Sequence, residues 1–99
     1  MGNMENRFDT LIRGGTAIME NGAVQANIGI RDGRIAALLD PAVPFEAEEV
    51  IEAGGLVVFP GLIDPHVHLW EPGPLSYRED FRHGSQASAA GGVTTLIEM

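Results

Sequence analysis

The chain contains neither cysteine nor lysine among its 99 residues. Lack of cysteine rules out disulfides and removes thiolates from any metal site this segment contributes to. Lack of lysine leaves six arginines as the whole basic complement against 14 acidic residues, a formal net charge of −8. Nucleic acid and anionic membranes are recognised through basic patches, so neither is expected as a partner. Small anions stay admissible, because a bound metal can supply local positive charge. No run of eighteen apolar residues occurs, and Met1-Gly2-Asn3-Met4-Glu5-Asn6-Arg7 has no charged-then-apolar signal pattern, so the cytoplasm is the default compartment. Hydrophobic residues make up 44% of the chain, too many for a disordered segment and suited to a globular one.

The first half reads as a small antiparallel β unit. Residues before Phe8 are polar and expected to fray. Leu11 to Met19 is a strand whose Gly14-Gly15 pair marks a bulge or close backbone approach. After the turn Glu20-Asn21-Gly22, Val24, Ala26, Ile28 and Ile30 alternate with Gln25, Asn27 and Gly29, which predicts one buried and one polar face. Asp32-Gly33 tolerates the positive φ angles of a two-residue turn, so Arg34 to Leu39 should pair back as a hairpin. Asp40-Pro41-Ala42-Val43-Pro44 breaks the sheet. Glu46, Glu48 and Glu49 read as a solvated loop or turn in preference to a cation site. A short strand, Glu49 to Ala53, ends at Gly54-Gly55. Nothing between Phe8 and Gly55 has catalytic spacing.

The second half changes character. Leu56 to Phe59 is continuously apolar, as in a strand buried on both faces of a parallel sheet; Pro60-Gly61 kinks it, and Leu62-Ile63 carries it on to two histidines. In an extended strand His66 and His68 share one face while Val67 points away, making a two-pronged nitrogen ligand able to grip a zinc-like ion with positions left open for water. A His-x-His standing alone is more often an ordinary pair of strand residues. Asp64 lies on the same face, placed either to accept from a ligating histidine and fix its tautomer or to make a plain structural hydrogen bond. Ser76-Tyr77-Arg78-Glu79 matches a capping box, so a helix should begin at Ser76, with Tyr77, Phe81, Ser85 and Ser88 on one stripe beside Gly84. His83 falls on the opposite, polar side, as a solvated residue rather than a third ligand. Gly91-Gly92 closes the helix, and Val93 to Met99 forms a second strand in a βαβ unit.

Pro60-Gly61-Leu62-Ile63-Asp64-Pro65-His66-Val67-His68, then Glu71-Pro72-Gly73, then Ala89-Ala90-Gly91-Gly92-Val93-Thr94-Thr95, closely resembles the opening of the cyclic amidohydrolases: dihydroorotases, allantoinases and hydantoinases. The resemblance implies an α/β fold, the N-terminal part of a metal-dependent (β/α)8 TIM-barrel hydrolase preceded by a small β-sandwich segment. Residues 1–55 would be part of the sandwich, and 56–99 strand 1, helix 1 and strand 2 of the barrel. A whole barrel needs about 250 residues, so the chain is expected to be a piece of a longer enzyme, inactive by itself. The implied cofactor is a divalent metal, zinc foremost, as one or two ions held partly by His66 and His68. No catalytic residue is assigned within this segment, since the base and bridging ligand of such enzymes come from later strands. The loop beside the substrate is Trp70 and Glu71.

The implied reaction is hydrolysis of a cyclic amide by a homo-oligomer. Dihydroorotases place an arginine two residues after the second histidine, where its planar fork pairs with a substrate carboxylate; here that position is Trp70. Ile97-Glu98-Met99 looks more like the second barrel strand of allantoinases, although Trp70 departs from the small polar residue usual there. The expectation is an allantoinase-like enzyme opening a cyclic ureide, with dihydroorotase or dihydropyrimidinase/hydantoinase as alternatives. A non-catalytic dihydroorotase-like structural or binding partner is the reading from another class.

Overall fold

A computed structural model describes residues 6–75 and 77–99. The chain divides into two compact units, one ending at Phe59 and one running from Pro60 to Met99.

The first unit is a single sheet built round a long strand, β1 (Arg7–Met19), with β2 (Gly22–Arg31), β3 (Arg34–Leu39), β4 (Glu46–Glu52) and β5 (Val57–Val58). The order is β3-β2-β1-β4, with β5 also on β1. The hairpin between β2 and β3 turns at Asp32 and Gly33, whose φ values of 53° and 73° are the type I′ pattern that an Asp-Gly pair favours. The glycine pair in β1 is a bulge, the register shifting between Ile12 and Gly15. Gly14 takes φ 80° there. The buried Asn27 secures it, its Oδ1 accepting from the Gly14 N–H at 2.9 Å.

Four expectations are corrected by this sheet. It is mixed rather than antiparallel, because β4 and β5 both pair parallel with β1. Glu46, Glu48 and Glu49 lie within β4, not in a loop, and Arg7 and Arg13 pair with Glu46 (3.0 Å) and Glu52 directly across the ladder. Val57–Val58, assigned from sequence to the head of the second segment, pairs with Thr16 and Ala17 of β1, and the stretch is not buried on both faces, since Leu56, Val57 and Phe59 are exposed. The alternation expected in β2 is also broken, since Ala26, Asn27, Ile28 and Gly29 are all buried while Val24 is exposed. Gly29 faces the ring of Phe8, which a Cβ would meet at 2.5 Å, and Asn27 is spent on the bulge. Phe8, Leu11, Ala17, Ala26, Ile28 and Ala53 form the buried apolar set. Burial of the two largest, Phe8 and Leu11, contributes about 1.5–3 kcal/mol each.

The second unit is a βαβ element: β6 (Leu62–Val67), α1 (Phe81–Ala90) and β7 (Val93–Glu98), with β6 and β7 parallel. Backbone bonds from Leu62 N–H to Gly92 O (2.9 Å) and from Met99 N–H to Val67 O (3.0 Å) tie the two strand ends. The helix starts later than expected. Its cap is Asp80, in extended backbone, whose carboxylate accepts from the His83 N–H at 2.7 Å. A charged acceptor at the cap also suits the positive end of the helix dipole, and Tyr77 is left outside the helix and exposed. Ser76 of the expected capping box lies outside the described residues. At the far end Gly91 caps the last turn and Gly92 takes φ 92°. Gly84, the buried residue of α1, packs on Leu69. Among the described residues, no helix is long and apolar enough to cross a membrane.

Candidate functional site

Strand β6 ends at Val67, so His66 is its penultimate residue and His68 the first beyond it. Both are exposed, with ring centroids 5.1 Å apart and planes at 76°. Zn–N bonds of about 2.0–2.1 Å to two imidazoles at a tetrahedral angle put the ring centres roughly 5 Å apart, so the pair suits one shared ion. Neutral imidazole is also the right donor chemistry. Among the described residues no group of three or more His, Asp or Glu could complete such a shell. Asp64 is half-buried, and its Oδ1 accepts from the His66 backbone N–H at 3.2 Å; the bond recorded for it fixes the chain at His66.

The loop after His68 is held from both sides by carboxylates. Glu98 of β7 accepts from the Leu69 N–H at 2.8 Å, while Glu71 accepts from the Phe81 N–H at 2.6 Å, satisfying one of the free amides of the first turn of α1. Trp70 takes φ 64°, a left-handed conformation that costs a bulky residue on the order of 1–3 kcal/mol. Its indole is stacked on His68 at 5.5 Å and 24°, and the Arg78 guanidinium lies 5.4 Å from the indole centre. Beside this column is an open cleft of about 420 Å3 lined by His68, Trp70, Glu71, Leu75, Glu98 and Met99 together with Pro72, Gly73 and Pro74. A larger hollow of about 570 Å3 on the first sheet, near Phe8, has Arg7 paired with Glu46 and no imidazole, so the chemistry points to the cleft.

His83 stands apart from the histidine pair. It is exposed on α1, its Nδ1 2.9 Å from each Asp80 oxygen. Hydrogen bonding to Asp80, then its charge, raises the His83 pKa above the ordinary value; Asp80 is held below the usual carboxylate range first by the His83 amide and then by its ring. Two members of the site were missed from sequence. Glu98 had a signal, a lone acid inside the apolar run Val93 to Met99. Arg78 had none, because its place beside Trp70 depends on the fold of the loop.

No family model matches the chain. An allantoinase of Escherichia coli O1:K1 is 46% identical over 92 residues, 93% of this chain and 20% of that protein. In structure the chain is similar to L-hydantoinase (dihydropyrimidinase) from Arthrobacter aurescens, with a TM-score of 0.83 and 36% identity over 93% of this chain and 20% of that one. It is also similar to N-acyl-D-glutamate deacylase from Bordetella bronchiseptica, complexed with zinc and a phosphonate inhibitor, with a TM-score of 0.69 and 29% identity over 93% and 18%. The chain spans about a fifth of the length of the curated relatives it matches. The sequence match and the β-rich architecture agree across nearly all of the chain's length, and both support a segment of a cyclic amidohydrolase.

Proposed function

We propose that the protein carrying this segment is a hydrolase that opens a cyclic amide at its C–N bond, allantoinase-like in acting on a cyclic ureide. The observation that carries the reading is the pair of exposed imidazoles at the end of β6, set at the spacing of two ligands on one ion, in a chain 46% identical to an allantoinase. In this reading β6, α1 and β7 open a (β/α)8 barrel and the first sheet is part of a β-sandwich. The catalytic face is then the C-terminal end of β6, where His66 and His68 stand.

His66 and His68, as neutral imidazoles, would hold the divalent metal, and zinc fits nitrogen donors of this kind. Such a metal, when bound, lowers the pKa of water and polarises an amide carbonyl. The rest of the task falls to the chain. Asp64 pins the backbone at His66, and Glu98 and Glu71 hold the loop that carries Trp70 to the cleft. Trp70 offers an apolar face and no charge at position 70, which suits a neutral ring better than dihydroorotate. The hydantoinase neighbour supports a second reading, dihydropyrimidinase or hydantoinase activity on the same class of ring. Small cyclic amides as partners, a homo-oligomer and a cytoplasmic location go with either; a non-catalytic partner role is the outcome if no ring is opened.

The test is kcat/KM of the full-length, zinc-loaded protein on allantoin, hydantoin, dihydrouracil and dihydroorotate. Allantoin is expected to rank first. Turnover clearly highest on dihydroorotate would overturn the argument from Trp70, and no turnover on any of the four would overturn the enzymatic reading.

A further inference from the structure

His68 lies past the last residue of β6 and is exposed, so no strand ladder orients it. The ring contacts recorded for it are with His66 and with the indole of Trp70. Trp70 stacks on the residue two places earlier from a backbone at φ 64°, a conformation that a bulky side chain avoids unless its surroundings impose it. The surroundings here are visible. Glu98 and Glu71 clamp the amides of Leu69 and Phe81 on either side of the loop, and Arg78 lies against the indole.

We infer that Trp70 is a positioning residue for the metal centre: its indole fixes the plane of the His68 imidazole, and Arg78 holds the indole in place by cation–π attraction. The inference rests on the reading of His66 and His68 as metal ligands, and it concerns affinity and ligand orientation, not the identity of the substrate. An imidazole whose ring plane is already set loses little freedom on ligation, whereas a free side chain must give up its rotamers when the ion arrives. A stacked ring also leaves the ligating edge open, since the contact is made through the ring face. Any aromatic at position 70 that keeps the stack should therefore retain the function, and an aliphatic should lose it.

The experiment uses the full-length protein stripped of metal. Zinc affinity is measured by competition with a chromophoric chelator, and the d–d absorption of the cobalt-substituted protein reports ligand geometry. Trp70→Ala is expected to weaken zinc binding by about tenfold, the effect typical of removing a group that orients a ligand, and to shift the cobalt bands. Trp70→Phe should stay within about threefold of the native affinity, and Arg78→Ala should weaken binding by less than Trp70→Ala. Native affinity and cobalt spectrum in Trp70→Ala would overturn the inference, as would equal losses in Trp70→Ala and Trp70→Phe. Should Trp70→Ala fail to fold, native zinc affinity and cobalt bands in Arg78→Ala would overturn it, and a modest loss with shifted bands there, beside a native-like Trp70→Phe, would support it. His68→Ala separates the two layers: unchanged zinc binding there removes the ligand reading itself, whereas strong loss there with a native Trp70→Ala removes only the positioning role.

Discussion

Gly84 offers a test in which two ordinary effects oppose each other. It is the fourth residue of α1 and its buried one, and a Cβ added there would lie 2.6 Å from Leu69 Cδ2 and 3.3 Å from Glu79 Cγ. Alanine in a helix interior is favoured over glycine by about 1 kcal/mol. Forcing a methyl into an occupied space typically costs about 1–3 kcal/mol. Leu69 is itself buried at 8% exposure, so its side chain has little space to swing clear. Gly84→Ala should therefore destabilise the unit by about 1 kcal/mol net, the steric cost outweighing the helical gain. Leu69→Ala removes the obstacle at its own cost of about 2–5 kcal/mol; in that background the same Gly84→Ala should stabilise by about 1 kcal/mol. The sign reversal is the signature, a coupling of roughly 2 kcal/mol in a double-mutant cycle. Urea unfolding of the four proteins followed by Trp70 fluorescence reads it out, the single tryptophan lying in the same unit. Stabilisation by Gly84→Ala in both backgrounds would refute the close packing of α1 on Leu69.

Asn27→Ala should cost about 1–3 kcal/mol, because the Gly14 N–H at the bulge loses its partner; a melt indistinguishable from native would mean water replaces Asn27 freely. The Asp80–His83 pair gives a pH window with a definite sign. The His83 pKa is raised, so its contribution to stability is full below the ordinary value of 6.5 and is lost as pH rises through the raised value; that of Asp80 is lowered, so its contribution is full above the ordinary 3.8 and is lost as pH falls through the lowered value. NMR titration should place the His83 midpoint above that of a free histidine, and Asp80→Asn should bring it down; an unmoved midpoint would break the pairing. The 99-residue chain alone should bind zinc weakly in calorimetric titration, since His66 and His68 supply only half of a four-coordinate shell, and tight stoichiometric binding lost in His66→Ala would show a fuller site than the geometry implies.

The features legible in the sequence are those whose causes lie within a few residues. Asp32-Gly33 dictates its turn by backbone sterics, Gly14-Gly15 its bulge and Gly91-Gly92 the helix end, and each is found where local chemistry put it. The two histidine rings stand together as their spacing of two residues implied, although His68 lies just past the end of β6. Partner choice was not legible. Nothing within Glu46–Glu52 says that it will lie parallel to a strand 39 residues earlier; the acidic run is exposed, as expected, but in a strand and not a loop. Val57–Val58 misled for a related reason, since an apolar pair says neither which strand it will join nor that it will be buried, and Val57 stays exposed beside β1. The helix start at Asp80 was legible but missed, since its carboxylate caps the helix locally by accepting from the His83 amide three residues on.

The two edges of β1 have different partners, and that bears on the order in which the sheet can assemble. Its antiparallel contacts with β2, and those of β2 with β3, are hairpins that close over short loops and form on the microsecond scale. Its parallel contacts with β4 and β5 must wait for a much longer loop to close, at an entropic cost no local turn offsets. The three-stranded meander should therefore exist first, with one edge of β1 open, and the chain from Glu46 to Val58 should zip onto that edge last. Arg7 and Arg13 stand at the two ends of the β4 ladder, six residues apart like Glu46 and Glu52, so a β4 strand that slips by one residue loses both ion pairs together and turns every side chain to the wrong face.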